Sequence, residues 1–166
     1  MERGVHHDTI VRVDLVLTMV FAATAVFAAT VFSTTAQWVG AVTAMSLFAI
    51  GVFAFLWSYW AAVQKSRTLE IGVAQLYLLL GEAIPTPVKR TLNTLLVAQF
   101  AIALATTLMR PDGPDGNPGS SLAVGFLVPM LGFGLNGLWA VTHGTFRPRT
   151  ELHQTQEKIG QNADHG

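Results

Sequence analysis

The fold is decided by LVLTMVFAATAVFAATVFSTTAQWVGAVTAMSLFAIGVFAFLWSYWAA, residues 15–62. This stretch lies between Asp14 and Lys65 and contains no charged side chain. An α-helix rises about 1.5 Å per residue, so about 20 apolar residues cross a hydrocarbon core of about 30 Å. The stretch is therefore long enough for two crossings, and the polar residues at 33–37 mark the turn between them.

Two more charge-free stretches follow, between Arg90 and Arg110 and between Asp115 and Arg147. Each is long enough for one crossing. We therefore predict an all-α fold, an integral membrane four-helix bundle whose transmembrane domain covers residues 15–142. The predicted spans are residues 15–33, 38–62, 91–109 and 122–142.

The composition agrees with a protein that lies in a lipid bilayer. Of the 166 residues, 51% are hydrophobic and 12% are charged, and the mean hydropathy is +0.46. A soluble domain has about 25% charged residues. The ten Lys and Arg residues balance the ten Asp and Glu residues, so no net field attracts nucleic acid, and none is expected as a partner. The absence of cysteine excludes disulfides, thiolate metal sites and Cys nucleophiles.

The positions of the cations predict the orientation. With the N-terminus inside the cell, nine of the ten Lys and Arg residues lie on the inner side, and Arg110 alone lies outside. Cytoplasmic loops of membrane proteins carry such an excess of Lys and Arg. We expect a multi-pass protein of the cell membrane with a cytoplasmic N-terminus over residues 1–14. The polar tail over residues 143–166 is expected to be cytoplasmic, and disordered beyond Arg149.

The segment between the second and third spans is apolar but is interrupted by Glu70 and Glu82. Its apolar residues recur at helical spacing, which predicts a short interfacial helix over residues 69–84. Lys89 and Arg90 follow, where lipid head groups begin. The segment is either a simple connector or a contact for lipid or a partner. The connector is favoured because an apolar stripe needs burial in either case.

Two amide side chains lie deep in the predicted spans, Gln99 in the third and Asn136 in the fourth. Antiparallel neighbours could bring them together, so we predict a hydrogen bond between them worth about 0.6 kcal/mol, and up to about 1.7 kcal/mol. No ionisable residue lies within the predicted spans. Asp14 comes closest, one residue before the first span, and is expected either to pair with Arg12 at the interface or to snorkel towards water.

Small residues predict close helix packing in the last two spans. Gly132, Gly134 and Gly137 form a GxGxxG pattern, but the strand and acidic residue of a dinucleotide site are missing, so no cofactor is expected. In a membrane these glycines favour close approach of helices. Ala101 and Ala105 are predicted to pack against a neighbouring helix in the same way.

The sequence contains no arrangement typical of catalysis. No catalytic triad, carboxylate pair or phosphate loop is visible, so we expect no catalytic, cofactor-binding or metal-binding residues and no enzymatic activity. The favoured function is a structural or accessory membrane component that packs with itself, as a homo-oligomer, or with a larger membrane complex. The alternative is a small oligomeric transporter or channel subunit with a polar seam of hydroxyl groups. An enzyme acting on lipid has the least support.

Two strings, SRTLEIGVAQLYLLLGEAIPTPVKR at residues 66–90 and SLAVGFLVPMLGFGLNGLWAVTHGTF at residues 121–146, resemble an uncharacterised family of small four-helix membrane proteins of actinobacteria. The similarity covers about residues 10–149. The resemblance implies that both strings form part of one membrane unit. It implies no activity and gives no residue a role.

Overall fold

The computed structural model describes residues 3–112 and 121–149, and the remainder of the chain lies outside the described part. The described residues form five α-helices and one 3₁₀ helix, with no β-strand among them. The helices are α1 (Arg3–Val31), α2 (Thr34–Lys65), α3 (Val73–Tyr77), α4 (Thr86–Met109) and α5 (Pro129–His143), and the 3₁₀ helix (Ser121–Leu127) precedes α5.

Four segments are long and apolar enough to cross a membrane: Thr9–Val31, Thr34–Lys65, Thr86–Met109 and Leu122–His143. The last of them joins the 3₁₀ helix to α5 at Pro129, which lacks the N–H that a continuous α-helix would need there. The predicted fold class, an all-α bundle of four membrane-spanning helices, is confirmed.

The helices begin earlier than the charge-free stretches indicate. Helix α1 begins at Arg3 and continues through Asp14, so residues 3–14 belong to the first helix. The charge-free stretch does not show this start, because a charged side chain does not end a helix. Helix ends follow capping residues, as at Ser33, whose hydroxyl accepts a hydrogen bond from the backbone N–H of Ala36 at 3.2 Å.

The four long helices alternate in direction. Lys65 at the end of α2 donates from Nζ to the backbone oxygen of Val141 near the end of α5, at 2.6 Å. At the other end of the bundle, Arg110 donates from Nε to the backbone oxygen of Ala29, at 3.2 Å. We call the first end the basic end; its described cations include Lys65, Arg67, Lys89, Arg90, Arg147 and Arg149.

Helix α5 forms the centre of the bundle. Of its membrane-spanning window, 67% is buried, against 22–28% for the other three helices. Glycines allow the backbones to approach closely, because a Cβ on Gly134 would collide with the backbone oxygen of Gly51 on α2. A Cβ on Gly132 would lie 2.8 Å from Leu96 on α4, and one on Gly137 would lie 2.6 Å from Ser58 on α2. The three glycines thus face α2 and α4, and Gly137 also faces Tyr77 on α3.

Ala101 and Ala105 do not pack inside the bundle. Both are exposed on α4, and the buried face of this helix instead contains Gln99, Ala103 and Thr106. Ala101 and Ala105 do not pack against another described helix of the same chain. The sequence did not indicate this, because small residues at four-residue spacing do not tell which face of the helix turns inward. Gln99 needs polar partners within the protein, which explains why the face of α4 that contains Gln99 turns inward.

A short helix does lie between the second and third spans, but it is shorter than the predicted range of residues 69–84. Only Val73–Tyr77 is helical, and the chain then turns at Leu79 and Gly81, which have φ angles of +54° and +89°. Backbone in this left-handed region cannot continue an α-helix. The apolar side chains of the segment are nevertheless buried under the bundle, and they include Leu76, Tyr77, Leu79 and Ile84.

The chain after α5 packs against this segment. The backbone N–H of Thr145 donates to the oxygen of Ala83, and that of Glu70 donates to the oxygen of Arg147, both at 2.9 Å. The basic end is therefore closed by two pieces of chain that bond to each other. The disorder predicted beyond Arg149 concerns residues outside the described part.

The outer surface of the bundle is apolar. Large apolar side chains are exposed on α1, α2 and α4, among them Val16, Met19, Trp38, Phe53, Trp60, Val97 and Leu108. The buried faces instead contain many small and polar residues, such as Ala44, Gly51 and Ser58 on α2. A soluble protein rarely exposes contiguous apolar surface of this kind, whereas lipid is a suitable solvent for it.

Candidate functional site

A carboxyl group lies inside the bundle. Asp14 has no exposed surface, and it shares one face of α1 with Thr18, Phe21 and Ala25, which are also buried. The spacing of these residues is that of a single helical stripe, so the face of α1 that packs on the bundle includes a carboxyl and a hydroxyl group. Arg12, two residues before, is exposed.

Gln99 on α4 binds both polar side chains of α1. Its Nε2 donates to Oδ1 of Asp14 at 3.2 Å and to Oγ1 of Thr18 at 2.8 Å. Gln99, like Asp14, has no exposed surface. We call Asp14, Thr18 and Gln99 the Asp14 cluster. Within the described residues, Oδ2 of Asp14 and Oε1 of Gln99 have no hydrogen-bond partner.

Helix α5 covers the Asp14 cluster. A Cβ on Gly132 would lie 3.0 Å from Oε1 of Gln99, which is tighter than ordinary contacts. Because Gly132 has no side chain, the Gln99 amide has room between α4 and α5.

A second set of polar groups lies nearer to the basic end. Asn136 on α5 donates from Nδ2 to the backbone oxygen of Tyr77 at 3.0 Å and to Oδ1 of Asn93 at 3.3 Å. Asn93 on α4 in turn donates to the backbone oxygen of Leu78 at 3.1 Å. We call Asn93 and Asn136 the asparagine pair. Because residues 77 and 78 lie where α3 ends, their carbonyl groups need donors from outside that helix, and the pair supplies them.

Tyr77 packs beside the asparagine pair. Its ring stacks on Phe55 with 4.3 Å between the centroids, and its hydroxyl donates to the Phe55 backbone oxygen at 3.4 Å. Burial raises the pKa of the Tyr77 hydroxyl above its usual value. This residue therefore acts as a neutral donor that fixes the segment before α4 against α2.

The predicted hydrogen bond between Gln99 and Asn136 is absent. Such a bond would need one of the two amide oxygens as acceptor, and neither Oε1 of Gln99 nor Oδ1 of Asn136 accepts from any described residue. Both nitrogens donate elsewhere. The prediction was wrong because it treated Asp14 as an interfacial residue, and so left out the group on α1 that Gln99 binds.

The Asp14 cluster is closed to water, and of the asparagine pair only Asn93 is partly exposed. Asp14, Gln99 and Asn136 are fully buried. Towards the other end, a space of about 10 Å³ lies among residues that include Phe21, Ala44 and Thr106. A single water needs roughly 10–15 Å³, so this space is at the lower limit for one molecule. Among residues 3–112 and 121–149, no three His, Asp or Glu side chains lie close enough to bind a metal ion.

These features define a class of protein, a multi-pass α-helical membrane protein with buried polar clusters between its helices. No protein-family model, curated protein or solved structure matches the chain. The resemblance to the actinobacterial family stays a prediction.

Proposed function

We propose that this protein is a structural or accessory component of the cell membrane, which packs with a second copy of itself or with a larger membrane complex. The observation that supports this most is the lack of exposed surface at Asp14, Gln99 and Asn136. A transport path needs polar groups that water or substrate can reach, whereas these polar groups bind one another and the backbone across helices. The proposed role requires no reaction chemistry.

The outer face of α4 supports packing with another helix. Ala101 and Ala105 are exposed there, one helical turn apart, and Ala98 beside them is half-buried. Small side chains at this spacing allow a second helix to approach closely in lipid, where dispersion contacts drive association. This face is therefore the proposed contact surface.

The same proposal places both chain ends in the cytoplasm. The basic end carries most of the described cations, and the opposite end carries Arg110. Membrane proteins retain such an excess of Lys and Arg on the cytoplasmic side.

Cysteine labelling tests the orientation, because the chain contains no cysteine of its own. Thr68→Cys at the basic end and Asp112→Cys at the opposite end replace exposed residues. With a membrane-impermeant maleimide on intact cells, we expect Asp112→Cys to react at once and Thr68→Cys to react only after permeabilisation. The reverse pattern would contradict the orientation.

Crosslinking tests the accessory role. We expect Ala101→Cys to form a disulfide dimer, or an adduct with a second membrane protein, on mild oxidation of membranes. Met45→Cys, exposed on α2 at a similar depth by residue count, is the matched control and should crosslink less. Equal crosslinking at both positions, together with purification in mild detergent as a lone monomer, would contradict the proposal.

A transporter or channel subunit is the second candidate, and Asp14 favours it. Ionisable residues buried in membrane helices often mark ion or proton paths, and Oδ2 of Asp14 accepts no hydrogen bond from a described residue. Thr18→Cys separates the two candidates. If the bundle stays closed, a small charged thiol reagent should leave the cysteine at position 18 unmodified. If water reaches the Asp14 cluster, the reagent should modify this cysteine, as it modifies the one in Thr68→Cys.

A further inference from the structure

A groove on α4 carries two cations that the bundle does not use. It has a volume of about 560 Å³ and lies at the basic end of the helix. The residues that line it are Thr86, Lys89, Arg90, Asn93, Thr94 and Val97. They recur at intervals of three and four residues, so the groove follows one face of the helix.

Lys89 and Arg90 differ from three cations of the described chain that have partners within it. Lys65 binds the Val141 carbonyl, Arg110 binds the Ala29 carbonyl, and Arg147 lies 3.9 Å from Glu82. Lys89 and Arg90 form no ion pair with any residue from 3–112 or 121–149. Two adjacent positive charges thus face the groove without a counter-charge from this part of the chain.

An apolar track continues from the groove along α4. Val97 is 65% exposed and Phe100 is 42% exposed. At about 1.5 Å per residue, the distance along the helix from Arg90 to Phe100 is about 15 Å. This length matches half of a hydrocarbon core of about 30 Å, which is one leaflet.

We propose that this groove binds an anionic phospholipid. The phosphate lies between Lys89 and Arg90, and one acyl chain lies along the apolar side chains of Val97 and Phe100. Charge complementarity favours an anionic head group, and the continuous apolar track favours a lipid over a small soluble anion. Asn93 takes no part, because its amide already binds Leu78 and Asn136. This inference depends on the membrane-spanning arrangement and not on the accessory role proposed above.

Native mass spectrometry of the full chain in detergent tests the proposal. Phosphatidylglycerol and phosphatidylcholine with the same acyl chains are the two probes. We expect tighter binding of phosphatidylglycerol, and a loss of about 25-fold in its affinity in Lys89→Gln/Arg90→Gln, which is about fivefold for each cation near an anionic lipid. The affinity for phosphatidylcholine should not change.

Two control variants distinguish the groove from a general positive potential. Arg67→Gln/Arg149→Gln removes the same charge from exposed positions of the basic end outside the groove, and should keep the lipid preference. Lys89→Arg/Arg90→Lys keeps both charges in the groove and should also keep the preference for phosphatidylglycerol. An equal loss in the Arg67/Arg149 variant would overturn the proposal, as would equal binding of the two lipids to the unmodified chain.

The same titration tests the acyl chain. Phosphatidylglycerol with short acyl chains should bind more weakly than the long-chain lipid, and inorganic phosphate should not displace the long-chain lipid. Inorganic phosphate is added up to the concentration at which phosphate fills a simple anion site. If phosphate displaces the long-chain lipid there, the groove binds a soluble anion and the lipid proposal is wrong.

Discussion

Oδ1 of Asp14 lies 3.2 Å from Nε2 of Gln99, although the two residues are 85 positions apart in the chain. The bond joins α1 to α4, and Thr18 adds a second bond one helical turn further along α1. Polar atoms in a bilayer must find partners within the protein. A shift of α1 by one turn against α4 would break at least one of these bonds, so the Asp14 cluster favours one register of the two helices.

Replacement of Gln99 tests this role. Gln99→Leu keeps an apolar side chain of similar length but removes both donors, which leaves the Asp14 carboxyl buried without this partner. We expect the free energy of unfolding to fall by about 1–3 kcal/mol, the cost of an unsatisfied buried polar group. The measurement is unfolding in mixed detergent micelles followed by circular dichroism. Gln64→Leu, at an exposed position of α2, is the matched control and should change stability by less than about 0.5 kcal/mol.

A double-mutant cycle isolates the bond itself. Asp14→Leu and Gln99→Leu should each destabilise the bundle, and the double variant should be less destabilised than the sum of the two. We expect a coupling free energy of about 0.6 kcal/mol, and up to about 1.7 kcal/mol, as found for pairs in other membrane bundles. Strict additivity would show that the two side chains do not stabilise each other.

The number of spans could be predicted from the sequence, but the Asp14 cluster could not. Charge-free stretches reveal the spans because burial of a charge in lipid is costly. The same criterion placed Asp14 outside the first span. The signal that would have found it is the stripe of Asp14, Thr18, Phe21 and Ala25 on one helical face.

The sequence also left open which face of each helix turns towards the inside of the bundle. Small residues occur on both faces of α4, with Ala103 on the buried face and Ala101 and Ala105 on the exposed one. Spacing alone does not distinguish these faces. The Gln99 side chain does, because its amide needs partners on α1, and those partners became visible only in the folded structure.

The contact between α2 and α5 predicts a strong effect of one methyl group. Gly134→Ala would place a Cβ against the backbone oxygen of Gly51, which cannot rotate away. We expect a loss of about 1–3 kcal/mol in the free energy of unfolding, the usual cost of overpacking. Gly72→Ala is the control, because its Cβ would lie 3.5 Å from the Gln75 side chain, an ordinary contact. A similar loss in both variants would point to a general effect of glycine replacement.

The two faces of α4 predict opposite tolerance to a larger side chain. Ala103 has no exposed surface, so Ala103→Leu should destabilise the bundle by about 1–3 kcal/mol. Ala101→Leu, on the exposed face, should leave the stability of the isolated chain within about 0.5 kcal/mol. It should nevertheless reduce crosslinking between chains if this face is a contact surface. Equal destabilisation by both substitutions would contradict the observed rotation of α4.

Replacement of Lys65 should have a local effect on stability at the basic end. Its Nζ donates to the Val141 carbonyl at 2.6 Å, in the last turn of α5, where carbonyl groups lack partners within the helix. Lys65→Gln should therefore reduce stability by about 0.5–1.5 kcal/mol, because it removes a charge-assisted bond and a favourable interaction with the helix dipole. Arg67→Gln removes a nearby exposed charge and should have little effect. Hydrogen exchange provides the local readout, since the amides of Gly144 and Thr145 should exchange faster in the Lys65 variant alone. Unchanged exchange at these amides, with a loss of global stability equal to that of the Arg67 variant, would show that surface charge rather than the cap is responsible.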